Sequence, residues 1–507
     1  MLNFKLMITK TYIRILYNLI LISIVTCTTS CSSFLEQEPG SQTSITEQLA
    51  TKNGVLEALA GVYKTLEASV KNPLFAVYSD LQGGNLKFTP ASTGNTLGTI
   101  STPSIFENIY GFEDQAIESN FESIYDGFYA VINQTNLILE YVDALSDASA
   151  SEKNQIKAEV LTVRAYCHFL LSNVYSQPYN VTSDASHLGV VYNRGTLTNG
   201  ITYPSRETAF NTYKFIIEDI NTALDLYTTN NALSVGPGYS YFNSYVAKSL
   251  LARVYLYKND WENAFNMADD VIKNSGVVLM TKENYISQWE QPDLPVSEIL
   301  LEFSIPKGDD GGIGSSMSQY FGYVLTTSEV IYSRYVGSND LISLYETNDV
   351  RRNLFTQIDL PTFIREDNGV KIFENLPYFF NRKFKDNAGY VAFRLSEMYL
   401  IRAEASLGLN QLDAAKNDID ALRERANASL LLNTINLEDA ILLERRKELS
   451  FEGHLLFDLV RHKKSIIRND GCISNSCNLS YPSPKFILPI PQDNINLNAN
   501  IKQNESY

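Results

Sequence analysis

Apolar residues recur at helical spacing along most of the chain. Near the carboxyl end, for example, Leu395, Met398 and Tyr399 lie three and four residues apart, so they share one face of a helix. Hydrophobic residues make up 44% of the 507 residues, which is ample for a globular core. The spacing predicts a mostly α-helical protein, with helices over residues 54–70, 117–142, 152–175, 207–227, 244–273 and 394–463.

Segments 244–273 and 394–463 each contain a predicted helical hairpin, and the two hairpins repeat one another. Asn410-Gln411 interrupts the apolar pattern of the second, and small alanines stand where its helices touch, as in tetratricopeptide-type repeats. The aligned positions are Ala252 with Ala403, Asn259 with Asn410, Trp261 with Leu412 and Ala264 with Ala415. This alignment predicts a packing role for Trp261 and indicates that the repeats are dispersed along the chain.

The first thirty residues have the pattern of an export signal. A basic start precedes a short apolar run from Ile15 to Val25, which is shorter than the roughly 20 apolar residues that span a bilayer. Thr29-Ser30-Cys31 then resembles a lipoprotein cleavage box, and Cys27 is a poorer alternative because Thr26 precedes it. An ordinary secretory signal is the other interpretation.

We therefore expect a lipoprotein signal peptide over residues 1–30 and lipidation at Cys31, with enough acyl chains for stable membrane anchoring. Residues 31–51 are polar and contain Pro39 and Gly40, which is typical of a flexible tether. Residues 52–507 are expected to form a single body.

The net charge and the catalytic motifs that the sequence lacks limit the classes of function to consider. The 41 Lys and Arg residues against 57 Asp and Glu residues give a net charge of −16, which disfavours nucleic acid as a ligand. The sequence lacks HExxH, the GxSxG elbow, the GxxxxGKS/T phosphate loop and GxGxxG after a strand. We expect no enzyme, no cofactor and no metal ion, although carboxylates alone do not exclude a glycosidase.

Several charged or reactive side chains have structural interpretations. Glu444 and Glu448 lie beside arginines on a predicted helix, which favours ion pairing over acid–base catalysis. Asp309-Asp310 is more typical of a solvated turn than of a cation site. Cys167 is expected to be a buried, inert thiol. An exported protein permits a disulfide between Cys472 and Cys477, which the sequence leaves open.

Motifs at both ends of the chain resemble those of the SusD/RagB family of outer-membrane nutrient-binding lipoproteins. At the amino-terminal side these are CSSFLEQEP from Cys31 and RAYCHFLLSNVYSQPY from Arg164. At the carboxyl-terminal side they are RAEA from Arg402, ERRKELSFEG from Glu444 with FDLVR from Phe457, and the closing FILPIPQDNINLNANIKQNESY. His454 stands where the family usually has Arg, which is a mild departure.

The resemblance implies a SusD-like helical body with an irregular, loop-rich ligand-binding face. It further implies a protein that is lipid-anchored at the cell-surface side of the outer membrane. Such a protein captures an oligosaccharide and delivers it to a SusC-like TonB-dependent barrel. Peptide binding of the RagB type and a purely structural repeat scaffold for surface proteins remain alternatives.

By the same resemblance, the ligand is bound by the two long segments without helical periodicity, Asn72–Gly111 and Glu283–Tyr390, which are expected to converge on one face. Aromatic rings there would stack on sugar faces, and polar groups would bind hydroxyls. The candidate residues are Tyr78, Asp80, Asn85, Lys87 and Phe88 in the first segment and Trp289, Tyr320 and Tyr323 in the second. Each of them, taken singly, is equally compatible with ordinary packing under a loop. Trp289, Tyr320 and Tyr323 are the best platforms of the second segment, and no helical periodicity predicts burial of Trp289.

Overall fold

The computed structural model describes residues 44–196, 202–227, 233, 236–290, 298–303, 317–325, 330–384 and 389–507. Chain contacts define one unit that ends at Gln48 and a second from Leu49 to Tyr507. Of the first unit, the described part is residues 44–48 with a short helix, Ile45–Gln48. The predicted signal peptide, the lipidation site Cys31, most of the tether and Asp309-Asp310 lie outside the described residues.

Helices dominate the second unit, as the apolar spacing predicts. Those of seven or more residues in the described part are α1 Lys52–Val70, α2 Pro73–Gly83, α3 Glu122–Tyr141, α4 Ala150–Tyr175, α5 Ala209–Leu226, α6 Ser244–Tyr257, α7 Trp261–Asn274, α8 Leu395–Gly408, α9 Leu412–Arg425, α10 Leu437–Glu448 and α11 Leu455–Arg461. Shorter helices are Glu107–Tyr110, Tyr285–Glu290, Ser318–Phe321, Asn339–Ile342 and Gln492–Leu497.

The long central helix α4 is fixed at its start by a capping box. The Ser149 hydroxyl accepts a hydrogen bond from the backbone N–H of Glu152, and the Glu152 carboxylate accepts one from the backbone N–H of Ser149. Helices α3 and α5 both pack on α4. Because it is covered in this way, most of α4 from Gln155 onward is buried.

The two predicted hairpins are α6–α7 and α8–α9, and their connections have the same backbone geometry. Asn259 and Asn410 both have φ of 60°, the left-handed conformation that Asn tolerates better than most residues. The aligned alanines, Ala252 and Ala403 among them, are fully buried. Trp261 packs against Gly408 as expected, whereas Leu412 is 52% exposed, so that aligned pair does not share one environment.

The segment Asn72–Gly111, expected to be irregular, contains helix α2. All residues of α2 from Leu74 to Gly83 are buried. A helix buried on every side has no polar face and therefore no amphipathic period, which is why the sequence pattern missed it. Burial on every side also explains why most residues of α2 are apolar.

The segment Glu283–Tyr390 contains most of the strands. Those of the described residues are β1 Leu86–Phe88, β2 Ile299–Phe303, β3 Tyr323–Leu325, β4 Val330–Tyr332, β5 Tyr335–Gly337, β6 Phe355–Asp367, β7 Val370–Asn381 and β8 Tyr390–Arg394. They form an antiparallel sheet in the order β1-β5-β7-β6 and two pairs, β2-β8 and β3-β4. A two-residue turn, Asn368-Gly369, joins β6 to β7 with φ of 50° and 79°.

Ion pairs are buried where α8, α9 and α10 meet the preceding segments. Glu448 pairs with Arg351 at 2.8 Å, Arg394 at 2.8 Å and Arg425 at 2.7 Å, and all four side chains are inaccessible or nearly so. Burial raises the pKa of the Glu448 carboxyl, but the three arginines outweigh burial and hold the pKa well below its ordinary value. The predicted ion pairing of Glu444 and Glu448 is thus confirmed, and its partners come from outside α10 as well as from within it.

The cysteines behave as structural residues. Cys472 and Cys477 are joined in a disulfide with Cα atoms 5.8 Å apart, within the usual range. Cys167 on α4 is a free, fully buried thiol, and burial raises its pKa. A raised pKa keeps the sulfur protonated and unreactive, as expected.

Candidate ligand-binding site

The two segments expected to form the ligand-binding face meet in one sheet. Strand β1 from the first segment pairs with β5 from the second, with Leu86 opposite Gly337 and Phe88 opposite Tyr335. The backbone N–H of Ser338 donates to the carbonyl of Asn85 at 2.9 Å and extends the contact. The expected convergence is therefore present, although the residues brought to the surface differ from most of the candidates.

Asp80 and Asn85 are buried and satisfied within the protein. Asn85 Nδ2 donates to Asp80 Oδ1 at 2.7 Å, and Arg446 Nε donates to Asn85 Oδ1 at 2.8 Å. Burial raises the pKa of Asp80, and the hydrogen bonds from Asn85 and the Gly453 backbone oppose that rise. With neither side chain accessible, both hold the fold together rather than face a ligand in this structure.

Tyr78, Lys87 and Phe88 also pack internally. The Tyr78 ring lies 4.8 Å from the Phe121 ring, and the Phe88 ring 4.9 Å from the Tyr110 ring, both edge-on. Lys87 Nζ pairs with Asp470 at 2.9 Å and is 8% exposed. A stacking platform must expose a ring face, so the expectation for Tyr78 and Phe88 does not fit this conformation.

Trp289 is 4% exposed, which contradicts the expectation that it is accessible. It lies on the short helix Tyr285–Glu290, edge-on to Phe384 at 6.0 Å, with Lys383 Nζ 4.6 Å from its ring centroid. Lys383 is itself buried and pairs with Glu452. Trp289 therefore covers charged side chains of the buried ion pairs, a cation–π contact that sequence periodicity does not reveal.

Tyr320 and Tyr323 are the candidates that remain half-exposed. The Tyr320 hydroxyl donates to the carbonyl of Lys71 at 2.9 Å, which fixes the ring while part of it faces solvent. Tyr323 begins β3 and packs against Phe380 with ring centroids 5.4 Å apart. Both residues belong to the segment that runs into β5 and hence to the meeting point of the two regions.

Tyr332 joins this pair and was not among the candidates. It lies directly opposite Tyr323 in the β3-β4 register, so both side chains leave the same face of the pair. Its ring centroid is 5.9 Å from that of Phe380, and its side chain is half-exposed. The sequence carried a signal: Tyr323-Val324-Leu325 and Val330-Ile331-Tyr332 mirror one another, as the two strands of a hairpin do.

Arg334 adds a charged donor next to these rings. Its guanidinium Nη2 donates to the carbonyl of Ser101 at 2.8 Å, which ties the first segment to the second. Burial raises the pKa of Tyr332, the neighbouring Tyr378 adds to the rise, and the Arg334 charge opposes it.

We call Tyr320, Tyr323, Tyr332 and Arg334 the tyrosine surface. It offers ring faces for stacking and hydroxyl and guanidinium donors for hydrogen bonds.

The rest of the described structure offers little reactive chemistry. Across the described residues, no three His, Cys, Asp or Glu side chains cluster as a metal site requires. No described helix combines the length and apolar composition needed to cross a bilayer. The fold and the tyrosine surface together define a helical body with an inserted sheet that presents aromatic side chains.

Two family models match the chain. One, described as the SusD family, matches residues 379–507, and one described as starch-binding associating with outer membrane matches residues 33–256. A SusD-like protein of Bacteroides ovatus is 26% identical over 394 residues, which are 71% of this chain and 68% of that protein. The starch-binding protein SusD of Bacteroides thetaiotaomicron is 37% identical over 120 residues, 23% of this chain and 21% of that protein.

Solved structures agree with these matches. A SusD superfamily protein from Bacteroides thetaiotaomicron superposes with a TM-score of 0.72 at 26% identity and covers 90% of this chain and 99% of its own. A structure described as a putative sugar binding protein from Bacteroides vulgatus gives a TM-score of 0.71 at 26% identity with the same coverage. The chain belongs to the SusD/RagB family, which confirms the resemblance drawn from its motifs.

Proposed function

We propose that this protein is a surface-exposed lipoprotein of the outer membrane that captures an oligosaccharide on the tyrosine surface. It then delivers the sugar to a SusC-like TonB-dependent barrel. The observation that carries the proposal is the pair Tyr323 and Tyr332, opposite in register and backed by Phe380, within a chain of the SusD/RagB family. Two rings on one face, with Arg334 beside them, suit the alternating apolar and hydroxyl surfaces of a sugar.

Membrane association and sugar binding are supported by the descriptions of the relatives. One matching family model is described as starch-binding associating with outer membrane, and one relative is a starch-binding protein. Lipidation at Cys31 would supply the anchor. The binding role is supported by the descriptions of a matching family model and of one relative, both of which name starch binding.

The test is a binding screen with the full chain lacking only its signal peptide and carrying Cys31→Ala so that it stays in solution. Calorimetry against malto-oligosaccharides, β-linked oligosaccharides and short peptides should give saturable binding to one class of oligosaccharide. Binding to peptides alone would favour the RagB type of function. Binding to none of the three classes, with a normal melting curve, would favour the structural scaffold.

A further inference from the structure

The connection between α9 and α10 presents aliphatic side chains to solvent. Leu430, Leu432 and Ile435 are 55%, 73% and 46% exposed, and Leu443 on α10 is 40% exposed. Leu431, between the first two, is instead buried with Ile419 and Ile441. Single exposed aliphatic residues are ordinary on protein surfaces, but three within six positions are not. We call residues 428–436 the leucine loop.

Hydrogen bonds to the helical body fix the amino-terminal part of the leucine loop. The backbone N–H of Ser429 donates to Glu346 Oε2 at 2.9 Å, and that of Leu431 donates to Asp420 Oδ1 at 2.8 Å. Arg423 Nε donates to the Ser429 carbonyl at 2.5 Å, while its Nη1 pairs with Glu444 at 2.8 Å. The exposed leucines are therefore held in place by a structured backbone. A partner that binds them has less conformational entropy to remove.

Acidic residues flank the leucine loop on both sides. Glu424 at the end of α9 and Glu438 at the start of α10 are exposed, and within the described residues neither lies within salt-bridge distance of a Lys or Arg. The chain as a whole has a net charge of −16. Glu438 contacts the His462 imidazole instead, with its Oε1 3.5 Å from Nδ1. An apolar centre with an acidic rim is complementary to an apolar depression with a basic rim.

We propose that the leucine loop is a docking surface for a different protein that carries an apolar depression rimmed by Lys or Arg. A second copy of this chain fits less well, because a symmetric contact would bring the same acidic rims together. An anionic lipid surface is disfavoured by the same charges. The partner that carries this depression is then the SusC-like barrel, an identification that rests on the proposed function.

The test compares a triple variant with a matched control in the full chain. Leu430→Ser, Leu432→Ser and Ile435→Ser together remove the apolar centre. Leu497→Ser alters a residue of similar exposure, 74%, on the separate short helix Gln492–Leu497. Affinity for the purified barrel in detergent should fall at least tenfold in the triple variant and remain unchanged in the control. Glu424→Lys with Glu438→Lys should also weaken binding.

Two further measurements distinguish failure of the docking proposal from failure of the proposed function. A photo-crosslinker at position 432, in cells producing both proteins, should label the barrel; labelling mainly lipid or a second copy of this chain would overturn the proposal. Unchanged barrel affinity in the triple variant would overturn it as well. Oligosaccharide affinity should be the same in all variants, so failure of the docking surface is distinguishable from failure of the proposed function, in which the wild-type chain binds no oligosaccharide.

Discussion

Asp80 Oδ2 accepts a hydrogen bond of 2.8 Å from the backbone N–H of Gly453, 373 positions further along the chain. Asp80 Oδ1 accepts a second bond, of 3.1 Å, from the backbone N–H of Phe451. Phe451 has φ of 68°, a conformation that is strained for a bulky residue. The carboxylate on α2 thus fixes the turn of the SFEG motif and joins the amino-terminal and carboxyl-terminal parts of the body.

Replacing Asp80 by Ala should destabilise the protein, because it leaves the buried N–H of Phe451 and the partly buried N–H of Gly453 without an acceptor. Each such group costs about 1–3 kcal/mol. Urea unfolding should show a loss of at least about 2 kcal/mol, whereas Asp367→Ala, at the exposed end of β6, should change stability by less than about 0.5 kcal/mol. If Asp80 were a ligand-binding residue without a structural role, both variants would unfold at the same urea concentration.

The left-handed asparagines of the two hairpins lead to a paired prediction. Asn259→Ala and Asn410→Ala should each lower the free energy of unfolding by up to about 1 kcal/mol, because Asn tolerates the left-handed conformation better than Ala does. Asn259→Gly and Asn410→Gly should lose nothing, because Gly adopts positive φ freely. Equal losses for Ala and Gly in urea denaturation would mean that side-chain contacts, not the backbone conformation, determine these positions.

The hairpins show what the sequence could predict. Apolar spacing locates helices well when one face is buried and the other is exposed to solvent. This is the case in α7, where Ala264, Ala268 and Val271 are the buried residues. The interruption at Asn410 marks the turn because Asn tolerates the backbone conformation found there. Family resemblance added the convergence of the two long segments, which β1 and β5 confirm.

The candidate site was harder to predict because burial in this region depends on distant residues. Asp80 resembles a hydroxyl ligand in sequence, yet its partners are the backbone of Phe451 and Gly453. Trp289 has no local periodicity, yet Lys383 and Phe384, almost a hundred positions away, cover it. Aromatic richness alone does not distinguish a core from a platform, and only Tyr320 and Tyr323 among the candidate rings stay half-exposed.

Glu159 on α4 predicts an unusual pH dependence. Burial raises the pKa of its carboxyl to about 7, although the Tyr63 hydroxyl donates to it at 3.1 Å. Between about pH 4.5 and 7 the native state keeps a proton that the unfolded state releases, so this group makes the free energy of unfolding fall as pH rises. The slope is at most about 1.4 kcal/mol per pH unit.

Glu159→Gln should remove this contribution and gain up to about 3 kcal/mol over the wild type between pH 4.5 and 7.5. The difference between the two proteins is the quantity to measure, because Glu444, with a pKa of about 2, acts in the opposite direction below pH 4.5. Urea unfolding of both proteins at four pH values provides the comparison. Parallel stability profiles would show that Glu159 is ionised in the native protein at neutral pH.

Lipidation at Cys31 is tested in cells. Cys31→Ala should release the protein from the membrane fraction and abolish labelling by a fatty-acid analogue, because the thioether-linked lipid needs the Cys31 sulfur. Cys27→Ala is the matched control and should retain both membrane association and the label. Label that persists in Cys31→Ala and disappears in Cys27→Ala would move the anchor to Cys27.

The most direct measurement is the affinity of the tyrosine surface for the oligosaccharide selected in the binding screen. Each stacking ring contributes about 1–3 kcal/mol by analogy with aromatic base-stacking platforms. Calorimetry should therefore show at least a tenfold loss for Tyr323→Ala with Tyr332→Ala, in protein whose melting curve remains cooperative. Tyr203→Ala, at a tyrosine that is 54% exposed outside this surface, should bind like the wild type. Full affinity in the double variant would contradict sugar capture on the tyrosine surface.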